Sequence, residues 1–226
     1  VDADTDFNVG GIWPEALRLY TPKDEIVTIP YDHGPIILGY NKDIFDAAGH
    51  AYPDETWTME TFFEAAKTLT NTEKGIWGWS GAFPDMGPTS NGPSLRPWGG
   101  ELMNEEETKL TLDTPEVKEA INFWASLIHE HKVAPNASEN KAFPDGAFRG
   151  GVVAMSGVAS WDTPSLAEFS SFAWDVAPWP KGKQSGTGSF GSGFGITATS
   201  QHPDQSWTYL SEYLSAEGMI EMWGSS

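Results

Sequence analysis

Apolar positions repeat with helical spacing in several stretches. From Met59 to Leu69 they fall at Phe62, Ala66 and Leu69, so a helix is predicted there with Thr58 as its N-cap. From Pro115 to about Lys132 one stripe carries Val117, Ala120, Ile121, Trp124, Leu127 and Ile128, with Thr114 as N-cap and Pro115 in the first helical position. Pro203 to Leu214 turns Trp207, Leu210 and Leu214 inward, residues 216 to 223 begin another helix, and Ile12 to Tyr20 is a short one with Pro14 in its first turn. Trp124 and Trp207 are therefore assigned to the core.

Other stretches read as strands. Ile36 to Tyr40 is unbroken apolar chain, as suits a strand covered on both faces. Phe148 to Trp161 is an apolar run that begins among glycines and ends on a large aromatic, which predicts a buried strand delivering a tryptophan to an edge. Shorter strands are expected at 26–30, 75–79, 172–180 and 194–197. Residues 80–97 form a long loop rich in glycine and proline, and long loops inside compact domains tend to be functional or disordered.

Composition narrows the function. The chain has 226 residues, 39% of them hydrophobic and 13% aromatic, enough for a sizeable core. A formal charge of −19 with only 13 Lys and Arg argues against nucleic acid or an anionic membrane as partner. The absence of cysteine excludes disulfides, thiolate metal sites and cysteine nucleophiles. There is no apolar run of about 18 residues. Val1-Asp2-Ala3-Asp4 lacks the basic and apolar parts of a signal peptide, as expected of a mature or trimmed terminus or of a cytoplasmic chain. Eleven tryptophans exceed what one core of this size normally uses, so some are expected to line a cleft.

Several motifs fail on inspection. Asp2, Asp4, Asp6 and Asn8 start like a calcium loop, but Phe7 and Trp13 stand where glycine and glutamate are needed, so a solvated loop is expected and no metal. His129 and His131 are two apart on a predicted helix, about 200° around it, and cannot share an ion. The G-x-G-x-x-G within 186–195 is preceded by a loop and followed by a strand, the wrong setting for a dinucleotide fingerprint. No nucleophile elbow, zinc helix or P-loop occurs.

Motifs in a fixed order resemble a known family. Phe148-Arg149-Gly150-Gly151 through Ala154-Met155 to Gly157 and Trp161 is similar to the F-x-x-G-x-x-A-M-x-x-x-G-x-W segment of family 1 extracellular solute-binding proteins, the substrate-capturing subunits of ABC importers. Tyr40-Asn41-Lys42-Asp43, with Phe45, Ala48 and Gly49, resembles their Y-N-K-D-x-F-x-x-A-G segment. Thr56-Trp57, Gly99-Gly100 with Leu102, Pro178 to Gly182, and Ser200 to Trp207 follow in order, with Thr58, Met59 and Ser206 as departures.

The resemblance implies a periplasmic-binding-protein-like type II α/β fold of two lobes with discontinuous chain crossings. The second lobe is expected at residues 36–191, parts of the first at 1–35 and 192–215, and the start of a further helix at 216–226. It implies a carbohydrate ligand held in an inter-lobe cleft by aromatic stacking and hydroxyl hydrogen bonds, no cofactor, membrane permease subunits as partners, and an extracellular, cell-surface-anchored or periplasmic location. Trp161 is the foremost ligand residue, beside Asp162 at a helix N-terminus. Tyr31, Asp32, Trp79, Trp98, Trp179 and Ser192 are the further candidates. A glycoside-active enzyme is the competing reading, because a Trp-lined cleft with paired carboxylates also suits hydrolysis. Asp32, Asp85 and Asp162 are available for it, but no local motif fixes any two at catalytic spacing, and a non-enzymatic binder is preferred.

Overall fold

The computed structural model describes residues 4, 7–18, 20, 21, 25–81, 91–106 and 108–224. In chain order the elements are α1 (Pro14–Arg18), β1 (Ile29–Pro30), β2 (Gly34–Asn41), α2 (Lys42–Ala48), α3 (Met59–Leu69), β3 (Trp77–Trp79), α4 (Asn91–Leu95), α5 (Pro115–His129) and α6 (Ala137–Asn140). They continue as β4 (Val153–Ala159), α7 (Thr163–Phe169), β5 (Trp174–Ala177), β6 (Ser189–Phe190), β7 (Gly193–Phe194), α8 (Pro203–Tyr213) and α9 (Ala216–Trp223). Contacts divide the chain into a smaller unit, 1–33 with 191–226, and a larger one, 34–190.

The larger unit is built on a mixed sheet in the order β3-β4-β2-β5, with β6 also pairing β2. Its central strands earn their place by apolar content. Leu38 and Tyr40 of β2 are buried, as are Val153, Ala154, Met155, Val158 and Ala159 of β4. The two run antiparallel with Gly39 opposite Ser156, while β3 lies parallel to β4 with Trp79 opposite Met155. The main core gathers Phe62, Ala66 and Leu69 of α3 and Val117, Ala120, Trp124 and Leu127 of α5, and a second cluster holds Phe148, Val153, Val158 and Leu166.

Local chemistry sets the helix ends. Thr58 accepts from the N–H of Thr61, whose hydroxyl oxygen in turn accepts from the N–H of Thr58, so two orphan donors of α3 are satisfied reciprocally. Asn41 caps α2, and Gly49 closes it at φ 63°, a left-handed position that favours glycine. The helix predicted to reach Lys132 stops at His129, and His131 lies beyond it, packed edge-on against Phe63. The described end of the 80–97 loop is helical, as α4 followed by a 3-10 turn at Arg96–Trp98.

In the smaller unit β1 pairs β7 antiparallel, Ile29 opposite Phe194. The strands expected over 26–30 and 194–197 shrink to two residues each. Trp207, assigned to the core, is half-buried: its indole N–H donates to Asp4 at 2.7 Å and its ring meets the edge of Phe7. Among the described residues no helix is long and apolar enough to cross a membrane.

Candidate ligand-binding site

Strand β4 ends at Ala159, and the 3-10 turn Ser160–Asp162 leads straight into α7. The turn is tied down from several sides. Asp162 Oδ2 accepts the N–H of Ala159 at 3.2 Å, the Thr163 hydroxyl donates to the Ser160 carbonyl at 2.7 Å, and the Ser165 hydroxyl donates to the Asp162 carbonyl at 2.9 Å. Arg149 donates to the Ser165 hydroxyl and sits 3.7 Å from the second Asp162 oxygen. Trp161 at the centre of this turn remains 56% exposed, although it follows a buried strand.

The Trp161 ring is steered by its neighbours. Phe190 of β6 meets it edge-on, with centroids 5.5 Å apart. A Cβ on Gly34, the first residue of β2, would lie 2.4 Å from the Ser160 hydroxyl and 2.9 Å from the Trp161 ring, so only glycine lets the turn approach this strand. The result is a large aromatic surface presented on a turn that is itself held in place.

Beside this turn lies a cavity of about 470 Å³ wholly within the larger unit. Ser80, just after β3, and Ser156, in the middle of β4, border it, the 140–149 segment lines it with Asn140, Phe143 and Asp145, and Asp162 contributes from the turn. Apolar ring surface and hydroxyl-bonding groups thus meet in one concavity. Among the described residues no group of acidic or histidine side chains is placed to hold a metal ion.

In the smaller unit, Tyr31, Asp32 and Ser192 come together where the chain leaves and returns. The Tyr31 N–H donates to the Ser192 carbonyl at 2.9 Å, the Asp32 carboxylate accepts the Ser192 N–H, and the Tyr31 ring stacks on Phe194 at 4.8 Å. Burial, then the Asp32 charge, then Tyr31, push the Tyr20 phenol above its ordinary range. This cluster fastens the two chain segments to each other.

Trp79, Trp98 and Trp179, expected at a cleft, lie in the core instead, at 2%, 7% and 7% exposure. The reason is mutual packing of aromatics. Trp79 meets Phe62 and Trp124, Trp98 meets Phe123 and Trp124, and Trp179 contacts Trp79 and Trp124, all with centroids between 4.9 and 6.3 Å. Asp85 lies outside the described residues. Three participants went unrecognised in the sequence: Arg149, Phe190 and Ser80. Arg149 stands inside the motif ending at Trp161, while Phe190 and Ser80 carry no local signal because long-range pairing brings them in.

The chain leaves the smaller unit at residue 33 and returns to it at residue 191, and its fold is periplasmic-binding-protein-like. The model of the bacterial extracellular solute-binding protein family matches residues 1–226, and the chain belongs to that family. Solved structures agree. An ABC substrate-binding protein from Listeria monocytogenes in complex with cycloalternan is 25% identical with a TM-score of 0.86, over 98% of this chain and 56% of that one. A solute-binding protein from Thermotoga lettingae bound with α-D-tagatose is 23% identical with a TM-score of 0.76, over 94% and 56%. A maltose-bound protein of T. maritima is 23% identical with a TM-score of 0.71, over 95% and 56%. The chain thus spans a little over half the length of these relatives.

Proposed function

We propose that the chain belongs to the substrate-capturing subunit of an ABC importer and recognises a neutral carbohydrate or polyol through Trp161. The observation that carries this reading is a tryptophan more than half exposed on a turn tied down by Asp162 and Arg149, its ring lying against Gly34 and the edge of Phe190. A sugar presents an apolar C–H face that an indole covers well, while hydroxyls around the ring take polar partners. The sugars and sugar-like ligands in the similar structures support the same chemistry. Asp162 positions the turn, and Asp32 and Ser192 hold the crossing near Tyr31. The partners are the membrane permease subunits of the importer, at an extracellular or periplasmic face. The protein binds and releases without transforming its ligand.

Titrating the chain with neutral mono- and oligosaccharides, with tryptophan fluorescence or calorimetry as readout, tests this. Trp161→Ala is expected to weaken binding about tenfold, some 1.4 kcal/mol, with the unfolding temperature retained, and Trp161→Phe to keep most of the affinity. Undiminished affinity in a folded Trp161→Ala variant removes Trp161 from the site. Hydrolysis products after incubation with oligosaccharides would establish the glycoside-active alternative.

A further inference from the structure

Strand β5 ends the sheet of the larger unit, and among the described residues no further strand lies beside it. One hydrogen bond fixes which of its backbone groups are free. The Lys42 N–H donates to the Ala173 carbonyl at 2.8 Å, one step beyond the facing pairs Asn41 with Trp174, Tyr40 with Asp175, Gly39 with Val176 and Leu38 with Ala177. Bonded and non-bonded pairs alternate in an antiparallel ladder, so Asp175 and Ala177 turn their backbone groups to β2, while Trp174 and Val176 turn theirs outward. A row of outward N–H and C=O groups is a template for another strand.

One of these outward donors is already taken. The Val176 N–H donates to Asp175 Oδ1 at 2.9 Å. The same side chain reaches its cross-strand neighbour: burial, then the Asp175 charge, then a hydrogen bond to Asp175, push the Tyr40 phenol above its ordinary range. Asp175 and Val176 are both exposed, which leaves the edge open to solvent.

The symmetry of this edge selects one partner. Its two outward residues flank Asp175, so a second copy of β5 meeting it antiparallel would pair Trp174 of each copy with Val176 of the other. That register sets Asp175 against its own counterpart as a non-bonded pair, with Cα atoms about 4.5 Å apart, where like charges repel.

We infer that the β5 edge is a latent pairing surface for a second copy of this chain and that Asp175 keeps it closed, by occupying the Val176 N–H and by setting two carboxylates face to face. The inference goes beyond ligand capture and involves no sugar. The formal charge of −19 also opposes association, but from all over the surface, whereas Asp175 acts at the edge itself.

The experiment is sedimentation equilibrium of the 226-residue chain and its variants over a concentration series, at one salt concentration and without sugar. The unaltered chain is expected to be a monomer, as is Glu60→Gln, which removes an equal charge from an exposed position of α3. Asp175→Val removes both acceptor and charge and favours a strand, so it should dimerise at least about tenfold more tightly. Asp175→Asn keeps an acceptor for the Val176 N–H and loses the charge, and should fall between the two. Adding Val176→Pro to Asp175→Val deletes the outward donor, leaves the ladder to β2 intact, and should restore the monomer. Because the chain has no cysteine, cross-linking gives a second measurement. Asp175→Cys should form a disulfide with its own copy under mild oxidation at least about tenfold faster than Glu60→Cys, since a non-bonded antiparallel pair brings the two side chains within disulfide reach. A folded Asp175→Val that stays monomeric overturns the inference. So does a dimer of the unaltered chain, a Glu60→Gln dimer as tight as that of Asp175→Val, or an Asp175→Val dimer that survives Val176→Pro. If the proline variant does not fold, the cross-linking rates decide, and equal rates at the two positions overturn the inference.

Discussion

A Cβ on Gly78 would lie 2.0 Å from the Ala66 carbonyl oxygen of α3, a backbone atom with no freedom to yield. Gly78→Ala must therefore push β3 off its helix, and a loss of about 3 kcal/mol or more is expected in urea unfolding. At Tyr52 the hydroxyl donates to Asp46 at 2.5 Å, and that bond first, then burial, then the Asp46 charge push the phenol up to about 12. The folded value exceeds the unfolded one near 10, so this contribution is complete below pH 10 and is lost as pH rises towards 12. Replacing Tyr52 by Phe should delete a step near pH 12 from the native phenolate titration and flatten the fall in stability over that interval. Among the tryptophans, the exposure of Trp161 was legible, because a strand followed by a turn dictates where its side chain emerges. The burial of Trp79, Trp98 and Trp179 was not legible in the sequence. Their burial depends on one another and on Trp124, residues that only the folded chain brings together.

Elements differ in how far their cause is local. Both α3 and α5 were visible with their N-caps because stripe and cap lie within a few residues of each other. Replacing Thr58 by Ala removes one half of the reciprocal cap and should cost about 1 kcal/mol in chemical denaturation, with the sugar affinity unchanged. Strands β1, β6 and β7 are two residues long and owe their existence to partners far away in sequence: Ile29 to Phe194, and Gly34 to Phe190. Glycines through 186–195 give no alternation to read. The helical α4 and the turn at Arg96–Trp98 were hidden for a related reason. Trp98 is held by Phe123 and Trp124 of α5, so the segment's conformation is imposed across the core rather than by its own glycine and proline content.

For the molecule as a whole, burial is unevenly shared. Both apolar clusters lie inside 34–190, whereas the buried hydrophobic residues of the smaller unit, among those described, are Ala16, Ile29 and Leu210. Hydrogen exchange should accordingly find amides of β2 and β4 protected longest and those of α8 and α9 released first, and equal protection across both units would contradict this division. The pairing of Gly34 with Phe190 has a consequence for engineering. Partners across a strand pair lie only about 5 Å apart, so residues 34–190 begin and end at nearly the same point in space. A segment so closed on itself is a natural cassette. Spliced into an exposed loop of an unrelated host, it would demand no stretching of either chain, and it should carry the Trp161 turn and the Ser80 cavity with it as a transplantable sensor module.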